Sequence, residues 1–171
     1  MADYRHLIPH IRRWEGGYSN HPADPGGATM RGVTFATFKS WRRRQGRPTP
    51  TVDDLRNITD EEWGAIFKSL YWDRCKADLI HSQPVADMLV DWVWGSGVHA
   101  IRHTQRLLGV TADGVVGPKP LAAINSHPSP RNLWAAMYAD RERFYYNIAT
   151  GKKRVFLRGW LNRLHSMTYD D

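Results

Sequence analysis

The stretch Thr59–Tyr71, TDEEWGAIFKSLY, decides the class of this chain. Trp63, Ile66, Phe67, Leu70 and Tyr71 stand at offsets 0, 3, 4, 7 and 8, the spacing that lines one face of an α-helix. Ahead of them, Thr59-Asp60-Glu61-Glu62 reads as a capping box, in which the Thr and the Glu three residues on satisfy backbone N–H groups reciprocally. A helix over 60–72 follows. The same offsets recur in Val85, Met88, Leu89, Trp92 and Val93 behind Pro84, a residue suited to a first helical position, and predict a helix over 84–96. Further helices are predicted over 98–108, 118–125, 130–150 and 157–166. The longest is expected to bury Leu133, Trp134, Met137, Tyr138, Phe144, Tyr145 and Ile148. The fold class is mostly α.

Toward the N-terminus, Leu7, Ile11, Trp14 and Tyr18 step by four, three and four, placing an apolar stripe on a helix that runs to about Glu15. Pro9 fits best in a first turn, so this helix is expected to be short or kinked. Gly16-Gly17 are expected to end it by taking left-handed backbone angles. Residues 19–33 then form a Pro/Gly/Asn/Asp-rich loop, and a short β-hairpin fits within 16–34. Thr34 is placed to cap a helix carrying Phe35 and Phe38, which breaks at Gly46–Pro50.

A chain of 171 residues with eight Trp, seven Tyr and five Phe buries a real core. Its net charge of +7 attracts polyanions: nucleic acid, anionic lipid headgroups or a negatively charged cell wall. Cys75 is the only cysteine, so no intrachain disulfide forms. The N-terminus carries no apolar stretch of a secretory signal, and no run approaches the ~18 apolar residues that span a bilayer. Synthesis and folding in a cytoplasm are expected, without stable membrane insertion.

An irregular loop of about fifteen residues in a compact domain is usually functional or disordered. This one gathers Trp14, Tyr18, Asn20, Asp24, Thr29 and Arg31. Cleaving a glycoside needs one carboxyl that keeps its proton, favoured by apolar surroundings, and a second group that stays ionised or positions water. Glu15 follows Trp14 at the edge of the buried stripe, whereas Asp24 lies in a glycine-rich turn open to water. Thr29 carries a hydroxyl able to hold a water, and Trp14 and Tyr18 offer flat faces to sugar rings. On spacing alone, a solvated helix-end glutamate and an ordinary turn aspartate account for the same residues.

Glu15-Gly16-Gly17-Tyr18, Asn20, Pro22, Asp24-Pro25-Gly26-Gly27, Thr29 and Gly32-Val33-Thr34 closely resemble the motif of glycoside hydrolase family 108, the phage endolysins and related bacterial N-acetylmuramidases. The resemblance implies a lysozyme-like, two-lobed single domain with Glu15 as catalytic acid. It extends to phage-type lysozymes, in which a helix-end Glu is followed nine residues later by Asp and then by Thr, as are Asp24 and Thr29 here. Trp14, Tyr18, Asn20 and Arg31 are the candidate substrate contacts. In the second half, Asp91, Gly97, Gln105, Leu108-Gly109, Asp113-Gly114, Gly117-Pro118, Leu121 and Gly159–Arg163 resemble the peptidoglycan-binding region that usually follows in this family. That pattern reads equally as a helix–turn–helix packing device. The expected division is a catalytic region over 1–83 and a helical, peptidoglycan-binding-like region over 84–171.

Other groupings read more plainly. His99 and His103 lie one turn apart, but Ala100 stands where an H-E-x-x-H motif has its glutamate, and no third ligand is evident. No metal or cofactor is expected. His21 beside Asp24 reads as loop hydrogen bonding, and Cys75 as an unreactive helix-end residue. Trp41-Arg42-Arg43-Arg44 reads as a solvated helix face, or as a hold on anionic envelope polymers. The resemblance implies hydrolysis of the β-1,4 bond after N-acetylmuramic acid in bacterial peptidoglycan. It also implies a monomer that reaches the wall through a holin-type membrane lesion and acts there after release. Specific nucleic-acid binding is not expected. The rivals are a lytic transglycosylase, which uses one glutamate and no water, and a non-catalytic wall-binding or secretion-assisting protein of the same fold.

Overall fold

The computed structural model describes residues 1–22 and 26–170. They form a mostly α fold with one three-stranded antiparallel sheet, dividing into two compact units: Ile8–Leu70, and Met1–Leu7 with Tyr71–Asp171.

Helix α1 spans Tyr4–Trp14, so Pro9 is its sixth residue and lies inside it, not in its first turn. The Asp3 carboxylate accepts the Arg5 N–H at 2.9 Å and starts the helix upstream of the proline. The missing Pro9 N–H forgoes only the bond to the Arg5 carbonyl, near that start. At the other end, the Glu15 N–H donates to the Ile11 carbonyl at 3.1 Å and closes the last turn. Neither Gly16 nor Gly17 takes a left-handed angle, contrary to expectation. The chain passes through them directly into the sheet.

The expected hairpin is present and gains a third strand. β1 (Tyr18–Ser19), β2 (Thr29–Met30) and β3 (Val33–Thr34) pair in that order, with Tyr18 opposite Met30, Ser19 opposite Thr29 and Thr29 opposite Thr34. Arg31-Gly32 make a two-residue turn with φ of 51° and 81°. Positive φ at both positions matches the right-handed twist of the strands it joins. Thr34 then caps α2 (Phe35–Arg44), its hydroxyl accepting the Thr37 N–H at 3.2 Å. Helix α3 (Val52–Arg56) was not legible as a period because it is five residues long. It carries a complete capping box, from Thr51 and Asp54.

The opening helix is real but changes character midway. α4 runs Asp60–Phe67 and continues as a π-helical turn over Lys68–Trp72. The wider turn rotates the residues that follow. Trp72 is consequently buried, whereas Leu70 and Tyr71, expected inside, are only partly covered. Trp63, Ile66 and Phe67 are buried as expected, and the Trp63 and Phe67 rings stack 5.6 Å apart. Thr59 accepts the Glu62 N–H at 3.1 Å, which is half of the expected box. The Glu62 carboxylate turns instead to Arg42, at 2.6 and 2.9 Å, and to Arg47 at 3.2 Å.

In the other unit, α5 (Gln83–Ser96), α6 (Val98–Leu107), α7 (Pro118–Asn125), α8 (Pro130–Ile148) and α9 (Leu157–His165) fall where the periodicity places them. α5 packs on α6 and α8, and α8 packs on α9. The expected stripe on α5 widens: Ala86, Val90 and Asp91 are buried beside Val85, Met88, Leu89, Trp92 and Val93. On α8, Leu133, Met137, Phe144 and Tyr145 are buried, whereas Trp134, Tyr138 and Ile148 are only partly covered. Arg141 takes a fully buried position among them.

Candidate active site

Glu15 stands one residue past the end of α1, half-buried, where the helix hands over to the sheet. Two backbone features define its surroundings. The Arg31 N–H donates to the Gly17 carbonyl at 3.4 Å, so the β2–β3 turn lies alongside the two glycines. Among the described residues, a Cβ added at Gly16 or Gly17 would meet nothing within 4 Å. Neither glycine takes a positive φ, and no described residue crowds either position.

A cationic and aromatic clamp holds this corner. Arg31 pairs with Asp60 at 2.7 Å, and Arg12, one turn before Glu15, reaches the same carboxylate at 3.7 Å. Both guanidinium groups lie over the Trp63 ring, 5.3 Å and 5.4 Å from its centroid. Trp63 in turn donates its indole N–H to the Arg31 carbonyl at 2.9 Å. The hydrogen bond from Arg31 holds the Asp60 carboxyl below the usual carboxylate range. The end of α1, the β2–β3 turn and the start of α4 are thereby tied together. Sequence reading missed Arg12, Asp60 and Trp63 as parts of this corner. Asp60 and Trp63 registered only as helix start and core, because a clamp between distant segments has no period.

The candidate residues separate accordingly. Arg31 is committed through its side chain to Asp60 and Trp63. Tyr18 is half-buried with the Arg56 guanidinium 4.2 Å from its ring centre, so one ring face is covered. Tyr18 shares a sheet face with its partner Met30 and with Val33, while Thr29 shares the opposite face with Ser19 and Thr34. The Thr29 hydroxyl donates to the Ser19 carbonyl at 3.5 Å. Asn20 is exposed and Trp14 half-buried, with Arg13 over the indole at 5.6 Å. Asp24, expected to partner Glu15 or to hydrogen-bond with His21, lies outside the described residues.

The remaining sequence signals fall into place as packing. Arg42 is not a solvated residue: it grips Glu62 and lies 4.6 Å over the Phe38 ring. Arg43 and Lys39 instead line a surface groove of about 500 Å3 on α2. His103 contacts Asp140 at 3.0 Å and packs against Trp92 and Phe144, and His99 lies against Phe144. Among the described residues no three His, Cys, Asp or Glu side chains gather as metal ligands. Cys75 is fully buried, and burial pushes its thiol up to about 12.

The second motif is a lock between α6 and the turn before α7. Buried Gln105 donates to the Asp113 carboxylate at 2.8 Å and to the Val115 carbonyl at 2.9 Å, and accepts the Gly114 N–H at 2.9 Å. Gly114 sits at φ 78°, where a Cβ would overlap the Val98 side chain. Gln105 and Gly114 are buried in this lock, whereas Asp113 and Pro118 are exposed.

Residues 8–97 match the family described as Glycosyl hydrolase 108, and residues 99–165 match one described as Predicted Peptidoglycan domain. No protein of curated description matches the sequence significantly. Among solved structures, that titled "Structure of Brucella abortus SagA" superposes with a TM-score of 0.81 at 29% identity, over 96% of this chain and 90% of that one. The chain belongs to glycosyl hydrolase family 108 and is a glycoside hydrolase that acts on peptidoglycan.

Proposed function

We propose that the chain is an endolysin-type N-acetylmuramidase that hydrolyses the β-1,4 bond after N-acetylmuramic acid, with Glu15 as general acid. The observation that carries this reading is the placement of Glu15 just past the end of α1 beside Gly16 and Gly17, whose Cβ positions meet no described residue within 4 Å. A glycosidic oxygen needs close approach to the acid, and glycine is the residue that leaves backbone uncovered for it. Glu15 gives its proton to the leaving oxygen as the C–O bond breaks. Asp24 stabilises the positive charge growing at the anomeric carbon or, with Thr29, orients the water that replaces the leaving sugar. Trp14, Tyr18 and Asn20 contact the glycan. Arg31 acts through the clamp, holding the turn against Asp60 and Trp63. The protein works as a monomer on the cell wall, after release through a holin-type lesion in the membrane.

The test is mass analysis of purified peptidoglycan digested by wild type, Glu15→Gln and Asp24→Asn. Wild type is expected to yield fragments heavier by one water per cut. Glu15→Gln is expected to lower the rate by a factor of about 10²–10⁴, the usual contribution of general acid catalysis, with an unchanged melting temperature. Full activity in Glu15→Gln would end the mechanism. Anhydro ends from wild type would make the enzyme a transglycosylase, and an inert wild type would leave the wall-binding alternative.

A further inference from the structure

We infer that the segment Gly151–Arg158, which belongs to the other compact unit from Glu15, is a docking surface for anionic phospholipid, independent of the Glu15 chemistry. The chain here reads GKKRVFLR, and from Arg143 to Tyr169 it contains no Asp or Glu. Gly151–Phe156 form a 3₁₀ helix in which all six residues are exposed. Val155 is 78% exposed and Phe156 56%. Side chains three apart eclipse in a 3₁₀ helix. That period sets Lys152 beside Val155 and Lys153 beside Phe156, each apolar side chain next to a cation. Among the described residues Lys152, Lys153, Arg154 and Arg158 have no ion pair, whereas the nearby Arg143 and Arg163 reach Asp140 and Asp91. Phe156 is firmly mounted: it stacks on Trp160, and Trp160 stacks on Tyr145, with ring centres 6.0 and 5.5 Å apart.

Large exposed apolar side chains ringed by basic ones are the chemistry of an interfacial anchor: the apolar pair enters the headgroup boundary while the cations meet phosphates. Hydrogen-bonding capacity favours lipid over glycan as the occupant. The charged side chains of the segment are donors only, which suits phosphate oxygens but leaves sugar hydroxyls without acceptors. Val155 has no flat face for a sugar ring, and one face of Phe156 is taken by Trp160. No helix among the described residues is long and apolar enough to cross a membrane, so the attachment is peripheral.

Sedimentation with vesicles of phosphatidylcholine, alone or mixed with phosphatidylglycerol, tests the inference on the whole protein. Wild type is expected to bind the mixed vesicles and to remain in solution with the neutral ones. Each Lys or Arg near an anionic surface strengthens binding about fivefold, so Lys152→Gln/Lys153→Gln/Arg154→Gln should weaken it about a hundredfold. Val155→Ser/Phe156→Ser should weaken it at low and high salt alike. Both variants are expected to cleave purified peptidoglycan at the wild-type rate. Equal binding to both vesicle types, no binding of wild type to the mixed ones, or variants that bind as wild type does would overturn it. So would loss of peptidoglycan cleavage in both variants without vesicle binding by wild type, which assigns the segment to glycan.

Discussion

At the scale of single residues, the strongest commitment in the chain is Asp91, fully buried on α5. Arg141 donates to one of its oxygens at 2.7 Å and Arg163 to the other at 2.6 Å, while Arg141 also donates to the Tyr145 hydroxyl at 2.7 Å. A buried charge is tolerable when its partners satisfy it from both sides, and deleting one partner strands the others. Asp91→Ala, which leaves Arg141 buried beside a void, is expected to cost about 3–5 kcal/mol, read as a lowered urea midpoint with unchanged slope. A midpoint within error of wild type would mean that water reaches the triad. Glu15, by contrast, is only half-buried, one residue past the end of α1. Asp91 belonged visibly to a recurring pattern in the sequence, but its partners, 50 and 72 residues away, did not.

At the scale of elements, glycine separates conformation from packing. Gly114 has a left-handed φ and no room for a Cβ, because Val98 fills the space. Gly114→Ala therefore combines backbone strain with overpacking and should destabilise by about 1–3 kcal/mol. Gly95 lies on the exposed side of α5 with ordinary helical angles and nothing near its Cβ position. Gly95→Ala should stabilise by about 0.5–1 kcal/mol, the helix propensity difference. Chemical denaturation of the two variants side by side checks both signs, and matching signs would refute the distinction. The D-G turn itself was legible, as was every helix of eight residues or more, because apolar period and caps are local. The π-helical turn at 68–72 and the third strand were not, since each depends on what packs beside it.

At the scale of the whole molecule, carboxylates set the acid limit. Arg5 hydrogen bonding lowers Asp3 to about 2. Asp54 is lowered by the Thr51 N–H, Asp60 by Arg31 and Asp113 by the Val115 N–H. Each is depressed in the folded state relative to an unfolded value of about 3.9. Their stabilisation is thus complete above that value and disappears as pH falls through the folded ones. The melting temperature should therefore drop progressively from about pH 4 to about pH 2, and a flat profile over that window would contradict these assignments. The sequence by itself determined the mostly α class, the helices of both units, the hairpin and the position of Glu15 at a helix end. Those depend on spacing, caps and turns within a dozen residues. Only the tertiary structure decided that Arg31 closes a clamp with Arg12, Asp60 and Trp63, that Glu62 leaves its cap for Arg42, and that Arg141 is buried. Charged side chains choose partners by distance in space, and that distance exists only once the chain has folded.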